Sequence, residues 1–338
     1  VPGRRLPSER MLAEELEVNV ATVRRAFRDL IAGGVVEKRV GDGTYICVRP
    51  KGPRENIINF ILSNYEGDVQ RELVKLAVEE GKRLGVGCRI SYAGSADLVM
   101  QIRTFLRFRQ PTVILGDSSI GEEAIREIGR APGLFVVIAN RLDHLGIPSV
   151  IGNDYAGINI LVHRLRELGH RSIALLHNNS GHPIENIQIA VWRSVTGGGS
   201  PELRADVPTG AHPTAYAFQA VGRAVARGER FSALITLNDE LAQGALAAFS
   251  ENGVRVPEQM SLISIGDSLF SRYSVPPLTA LNPNLAEHIR QGFELLARNR
   301  LHSGAPELLR LVAPALVIRK SDSAVPSVTT QPRETTVS

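Results

Sequence analysis

The sequence predicts an α/β chain in two unequal parts: a small head of two helices and a hairpin, then a larger body of parallel sheets. Three observations predict it. Residues 1–48 hold two short helical patterns followed by a hairpin pattern. From Ile57 onward, short apolar runs alternate with helical patterns, the mark of βαβ units. Between them, Arg49-Pro50-Lys51-Gly52-Pro53-Arg54 breaks regular structure with two prolines and a glycine. Residues 49–56 therefore read as a linker and 57–320 as the body. The Ser-, Thr- and Pro-rich stretch 321–338, almost free of apolar residues, is expected to be disordered.

In the head, Ser8 after Pro7 is placed to cap a first helix, because its hydroxyl can accept a backbone N–H left unpaired at a helix start. Met11, Leu12, Leu16 and Val18 supply that helix's apolar side. Glu17-Val18-Asn19 makes a turn, with Asn19 as the next cap. A second helix covers 20–32, with Val23, Ala26, Phe27, Leu30 and Ile31 as one buried stripe and Thr22, Arg24, Arg25 and Arg28 outside it. Gly33-Gly34 ends it. Residues 37–46 fold back as a strand pair around Gly41-Asp42-Gly43. This is a helix-turn-helix followed by a wing, and a helix presenting Thr and Arg suits the base edges of the DNA major groove.

In the body, strands are expected over 57–62, 87–92, 112–115, 134–139, 172–176, 233–236 and 262–265. Helices lie between them. Val69, Leu73, Leu76 and Ala77 form one apolar face. Ile158, Leu161, Val162, Leu165 and Leu168 form another, and Leu241, Ala245, Leu246 and Phe249 a third. Right-handed crossovers would leave ligand loops at the carboxyl ends of the strands.

Composition narrows the classes. The chain has 338 residues, 43% of them hydrophobic, with a formal net charge of +4. Residues 1–50 carry nine Lys/Arg against seven Asp/Glu, a small excess that suits contact with phosphates. Cys47 and Cys88 fall in different domains and show no metal-ligand spacing, which points to a reducing cytoplasm. Residues 1–10 lack the apolar core of a signal peptide, and no apolar run reaches the ~18–20 residues needed to span a bilayer. The chain starts at Val1 without Met, and further N-terminal residues are expected. No cofactor motif is present: Thr196-Gly197-Gly198-Gly199-Ser200 lacks the order of a phosphate-binding loop. Asp117-Ser118-Ser119 and the histidines lack the Gly-x-Ser-x-Gly elbow of a serine hydrolase.

The head resembles the GntR family of winged helix-turn-helix regulators. The resemblance rests on Leu6-Pro7-Ser8-Glu9-Arg10, Ala21-Thr22-Val23-Arg24-Arg25-Ala26-Phe27 and Gly41-Asp42-Gly43-Thr44-Tyr45, in matching order and spacing. It implies DNA contacts from Ser8, Arg10, Ala21, Thr22, Arg24 and Arg25, with Gly41 and Gly43 at the wing tip. Arg10 and Arg24 are the arginines it implies on DNA, and Thr22 a contact to phosphate or base. The chain has Asn19-Val20 where the family often has Ser-Arg, and Glu17 where it usually has Gly. The family's helix before the Leu-Pro-Ser motif is missing.

The body is similar to the LacI/GalR effector domain, itself like periplasmic sugar-binding proteins. It carries Ile151-Gly152-Asn153-Asp154-Tyr155-Ala156-Gly157, Glu167-Leu168-Gly169-His170-Arg171-Ser172, Thr236-Leu237-Asn238-Asp239, Ile263-Ser264-Ile265-Gly266-Asp267 and Pro276-Pro277-Leu278-Thr279 in the expected order. The resemblance implies a two-lobed, periplasmic-binding-protein-like fold with a small molecule, such as a sugar, between the lobes. The effector-binding positions it implies are Asn140, Arg141, Gln188, His212, Asn238, Asp239 and Asp267. Gln188 stands where the family has a sugar-binding Arg, and the family's sugar-binding Asp falls near Gly266, with Asp267 adjacent. The charged fork that grips hydroxyls is thereby reduced.

A GntR head on a LacI/GalR body resembles the arabinose-type repressors. It implies a cytoplasmic homodimer that binds double-stranded operator DNA and responds to an effector, with no membrane, metal or catalytic role. Two other classes fit less well. A transport-type binding protein would have an export signal and no DNA-binding head. A GntR head fused to an aminotransferase-like enzyme would have a longer body and a lysine motif for pyridoxal.

Overall fold

The computed structural model describes residues 5–32, 36–39, 43–46, 57–63, 68–116, 120–208, 210–301 and 306–325. It divides into two compact units, Val1–Ile57 and Ile58–Ser338.

In the first unit, α1 (Glu9–Glu15) begins where Met11 N–H donates to Ser8 Oγ at 3.2 Å. The chain turns at Glu17, whose φ of 52° is left-handed. It re-enters a helix, α2 (Val20–Ala32), where Ala21 N–H donates to Asn19 Oδ1 at 2.8 Å. Strands β1 (Val36–Arg39) and β2 (Gly43–Ile46) pair antiparallel, with Val36 opposite Ile46. The segment before α1 joins them: Leu6 N–H donates to Thr44 O at 2.8 Å, and Arg5 bridges Tyr45.

The seam between these elements is narrower than the sequence predicts. Ala13, Val23, Phe27 and Val36 form the buried cluster, with Leu6, Leu12 and Val20 beside it. Met11, Leu16, Val18, Ala26 and Leu30 are exposed instead. Periodicity assigns an apolar residue to a face, but a domain this small has too little interior to cover every such residue.

The second unit has two lobes. The first begins with β3 (Ile57–Ser63), α3 (Asp68–Arg83), β4 (Gly87–Ala93), α4 (Ser95–Arg107), β5 (Thr112–Leu115), α5 (Glu122–Gly129), β6 (Phe135–Ile138) and β7 (Ser149–Gly152). The chain then crosses to α6 (Asp154–Glu167), β8 (Ile173–His177), α7 (Pro183–Thr196), β9 (Glu202–Arg204), α8 (Pro213–Ala226), β10 (Ala233–Thr236), α9 (Asp239–Glu251), β11 (Ser261–Ile265), α10 (Leu269–Tyr273) and β12 (Thr279–Asn282). It returns through α11 (Leu285–Leu301) and β13 (Leu309–Val312), and crosses again to β14 (Ala315–Val317).

The sheets run β4-β3-β5-β6-β7-β13 and β9-β8-β10-β11-β12-β14. Strand β3 pairs parallel with β5, β5 with β6, β6 with β7, β7 with β13, β8 with β9 and β10, β10 with β11 and β11 with β12, whereas β12 and β14 are antiparallel. Each sheet has its own buried cluster, around Phe60, Val136 and Phe293 in the first lobe and around Leu175, Ile235 and Phe249 in the second.

The seven strands expected from sequence are present, and β5 and β10 have the expected bounds. Strands β7, β9, β12, β13 and β14 were not legible. Each has three or four residues and exists through distant pairing such as Leu309 with Ser149.

The expected disordered tail needs a correction at its start. Ser321 and Asp322 are buried. Thr279 N–H donates to Ser321 Oγ at 2.8 Å, Arg164 Nε donates to Asp322 at 2.9 Å, and Val325 N–H donates to Leu168 O at 2.9 Å. These polar side chains satisfy buried strand and helix ends, a role that composition does not reveal. Residues 326–338 lie outside the described part.

Candidate functional site

Three chain crossings, at 152–154, 282–285 and 312–315, join the lobes of the body. Between the lobes they enclose a cavity of about 170 Å³. It sits at the carboxyl ends of strands, where Leu115, Ile138, Gly152 and Ile265 are the last residues of β5, β6, β7 and β11. Ala139, just past β6, has a left-handed φ of 63° and also lines it. The walls are mainly Leu, Ile and Pro. Leu73, Leu285 and Ile289 come from first-lobe helices, Ile158 and Ile184 from second-lobe helices, Leu281 from β12 and Pro314 from a crossing.

The polar side chains in the lining are few: Asn153, Asp154, Gln188 and His288. Asn153 caps α6, with Ala156 N–H donating to its Oδ1 at 3.0 Å. Asp154 begins that helix, where the peptide dipoles favour a negative charge. Gln188 Nε2 donates to Asp154 Oδ1 at 2.8 Å. Among the described residues, no Lys, Arg or His nitrogen lies within ion-pair distance of Asp154. Burial pushes its carboxyl above the ordinary value, against the pull of the Gln188 amide and the backbone. His288 is buried and stands 3.1 Å through Nδ1 from Asn284 O. A carbonyl only accepts, so the Nδ1 proton lies between them and Nε2 carries the lone pair of the neutral ring. Burial holds this ring below its usual pKa, while Asn284 O and Glu287 pull the other way.

Of the effector positions implied by resemblance, Gln188 lines the cavity and the others do not. Asn140 adjoins the lining residue Ala139, and Arg141 points to Asp143 at 3.1 Å. His212 caps α8, with Thr214 N–H 3.5 Å from its Nδ1. Asn238 caps α9, taking Leu241 N–H at 2.8 Å. Asp239 is buried and accepts from Ser271 Oγ at 2.7 Å, from Ser268 N–H at 2.8 Å and from the Ser264 hydroxyl. Asp267 is bound by Arg319, by Arg272 at 3.3 Å and by Asn282 at 2.9 Å. A Cβ on Gly266 would run into the Asp239 carboxylate, so a larger residue at that position requires Asp239 to shift. The resemblance motif contained Asp154, but Asp154 was not among the implied site residues. The legible signal for it was a polar pair directly after a strand. His288 and the apolar walls gave none, because they converge only through the crossings.

In the head, Ser8, Arg10, Ala21, Thr22, Arg24 and Arg25 are exposed. Thr22, Arg24 and Arg25 leave α2 away from the buried Val23 and Phe27. Arg24 Nε pairs with Glu9 at 3.0 Å, an exposed contact that phosphates can displace at little cost. Gly43 has φ 128°, and a Cβ there would meet Arg5 Nε at 2.7 Å. Gly41 and Cys47 lie outside the described residues, as do Asp117-Ser118-Ser119 and the side chain of Arg28. Cys88 is a free thiol. No helix of the described residues is long and apolar enough to cross a membrane.

Comparison with known proteins agrees with this architecture. Residues 1–46 match the family of bacterial regulatory proteins, gntR family. Residues 162–321 match the periplasmic binding protein-like domain. The chain is 25% identical over 301 residues to the HTH-type transcriptional regulator AscG of Escherichia coli K12, covering 83% of this chain and 88% of AscG. It is 38% identical over 108 residues to the HTH-type transcriptional regulator GalR of the same organism, 31% of each chain. Among solved structures, the lac repressor dimer bound to operator and the anti-inducer ONPF superposes with a TM-score of 0.67 at 22% identity, over 81% of this chain and 96% of that one. The Escherichia coli repressor ascG gives 0.65 at 21%, over 80% and 100%. AscG and GalR are transcription regulators. The head thus matches the gntR family of bacterial regulatory proteins, the body matches the periplasmic binding protein-like domain, and the chain as a whole is similar to transcription regulators such as AscG.

Proposed function

We propose that this protein is a ligand-responsive repressor that binds operator DNA through α2 and its wing and holds a small-molecule effector between the lobes of its body. The observation that carries the reading is the cavity at the crossings, bounded by strand ends of both lobes, in a chain whose other unit exposes Thr22, Arg24 and Arg25 on one helix. Arg10, Thr22, Arg24 and Arg25 contact the duplex, with Ser8 and Ala21 at the helix starts and Gly41 and Gly43 in the wing. Two copies bind half-sites about one helical turn apart, as two-fold symmetric readers do. The effector acts by preferring one lobe arrangement, which couples the sites by ~1–3 kcal/mol in related systems. The protein works in the cytoplasm and performs no catalysis.

Selection of duplexes from a random pool by the full chain, followed by titration at fixed salt, tests this. A two-fold symmetric site is expected. Arg24→Ala is expected to weaken it by ~1–3 kcal/mol if Arg24 reads a base, or evenly across sequences with a shallower salt slope if it meets a phosphate. Failure to enrich any sequence would refute the DNA-binding role. An unchanged affinity would remove Arg24 from the contacts.

A further inference from the structure

We propose that the effector is a compact apolar molecule carrying a protonated amine, such as an arylalkylamine, with the amine on Asp154 and the apolar part against the Ile, Leu and Pro walls. This rests on the reading of the cleft as an effector site and names the class of molecule it takes.

Size comes first. A cavity of about 170 Å³ is close to the ~150 Å³ apolar cavity that accommodates benzene. In this lobe arrangement the cleft therefore suits one ring or a short branched chain with a small head.

Polarity comes second. A hexose carries a hydroxyl on nearly every carbon, and each buried hydroxyl needs a partner or costs free energy. The walls around Ile158, Ile184, Ile265, Leu281 and Pro314 have no side-chain partner to give. Gln188 and Gly266 bring no charge to this region, and a Cβ on Gly266 would run into the Asp239 carboxylate, which three donors hold in place.

Charge comes third. Asp154 has one side-chain partner, the Gln188 amide, and no cation among the described residues. The other spare side-chain atoms of the lining are one donor, the Asn153 amide nitrogen, and two groups that accept: the Gln188 carbonyl oxygen, left over once its amide nitrogen faces Asp154, and the lone pair on His288 Nε2. A carboxylate with two further acceptors in an apolar enclosure complements a group with one positive charge and several N–H donors, which is an ammonium.

Isothermal titration calorimetry on the full chain near pH 7 tests the proposal, with 2-phenylethylamine, its neutral counterpart 2-phenylethanol, glucose and galactose as probes. The amine is expected to bind about tenfold or more tighter than the alcohol, and the hexoses more weakly than either. In Asp154→Asn the preference for amine over alcohol is expected to vanish while alcohol binding persists. Circular dichroism melting shows that the variant is folded, and retained alcohol binding shows that its cleft is intact. A hexose that outbinds the amine, an amine with no heat up to millimolar concentration, or an amine preference that survives Asp154→Asn each overturns the proposal. Operator binding measured on the same preparation separates the cases. If it is intact, the ligand class alone has failed; if it is absent, the regulator reading has failed with it.

Discussion

Two strand-to-helix junctions in the body have the same two residues and opposite fates. Asn153-Asp154 follows β7 and Asn238-Asp239 closely follows β10. Both asparagines cap their helix, at 3.0 and 2.8 Å. Asp239 then turns inward, where Ser264, Ser268 and Ser271 supply it with three donors. Asp154 faces a cavity with one donor. The same local code thus produces a structural carboxylate in one place and an open one in the other. The difference lies in what the fold brings to the aspartate: a serine-rich loop in the first case, a gap between lobes in the second.

The largest effect is expected at the saturated site. Asp239→Ala leaves two hydroxyls and one N–H without their acceptor in a buried setting, at a cost of ~3–5 kcal/mol. Urea denaturation measures it, and a loss below about 1 kcal/mol would break the contrast between the two carboxylates. Gly266→Ala is expected to cost ~2–3 kcal/mol, because its Cβ overlaps the same carboxylate. A neutral result would mean that Asp239 can move aside.

At the two caps the effects should be equal. Asn153→Ala and Asn238→Ala are each expected to lose about 1 kcal/mol, since each removes one cap of the same kind. Equal losses sharpen the comparison by confining the difference to the aspartates.

The smallest effect is expected at Asp154, where Asp154→Asn changes stability by under about 1 kcal/mol at neutral pH. Its sign follows from the titration. The folded state raises the Asp154 pKa above 3.8, so the native state holds the proton longer than the unfolded chain. That stabilising contribution is full below 3.8 and is lost as pH rises through the folded value. The wild type is therefore expected to lose stability relative to the Asn variant as pH rises through this window. Denaturation curves of both proteins from pH 3 to 7 measure this, and a wild type that gains stability relative to the Asn variant as pH rises would exclude a desolvated carboxylate.

Much of this was legible in the chain. The caps Ser8 and Asn19, the bounds of α2, and strands β5 and β10 follow from local rules that each segment obeys by itself. The cleft was legible as a location, the carboxyl ends of parallel strands, but mostly not as a set of residues. His212, Asn238, Asp239 and Asp267 are polar groups near that end of the sheet, and the fold uses each of them to tie its own backbone or side chains. Ile184, Leu285 and His288 have no pattern that marks them, because nothing local distinguishes a wall residue from a core residue.

The sequence by itself determined that a helix-turn-helix head with a hairpin precedes an alternating α/β body, because caps, turns and hydrophobic periods act over a few residues. Only the tertiary structure decided which carboxylate stays open, which polar residues are consumed, and that Ser321 and Asp322 are buried. Those outcomes depend on partners tens to hundreds of residues away. Burial and hydrogen-bond saturation are properties of that assembly and of no single segment.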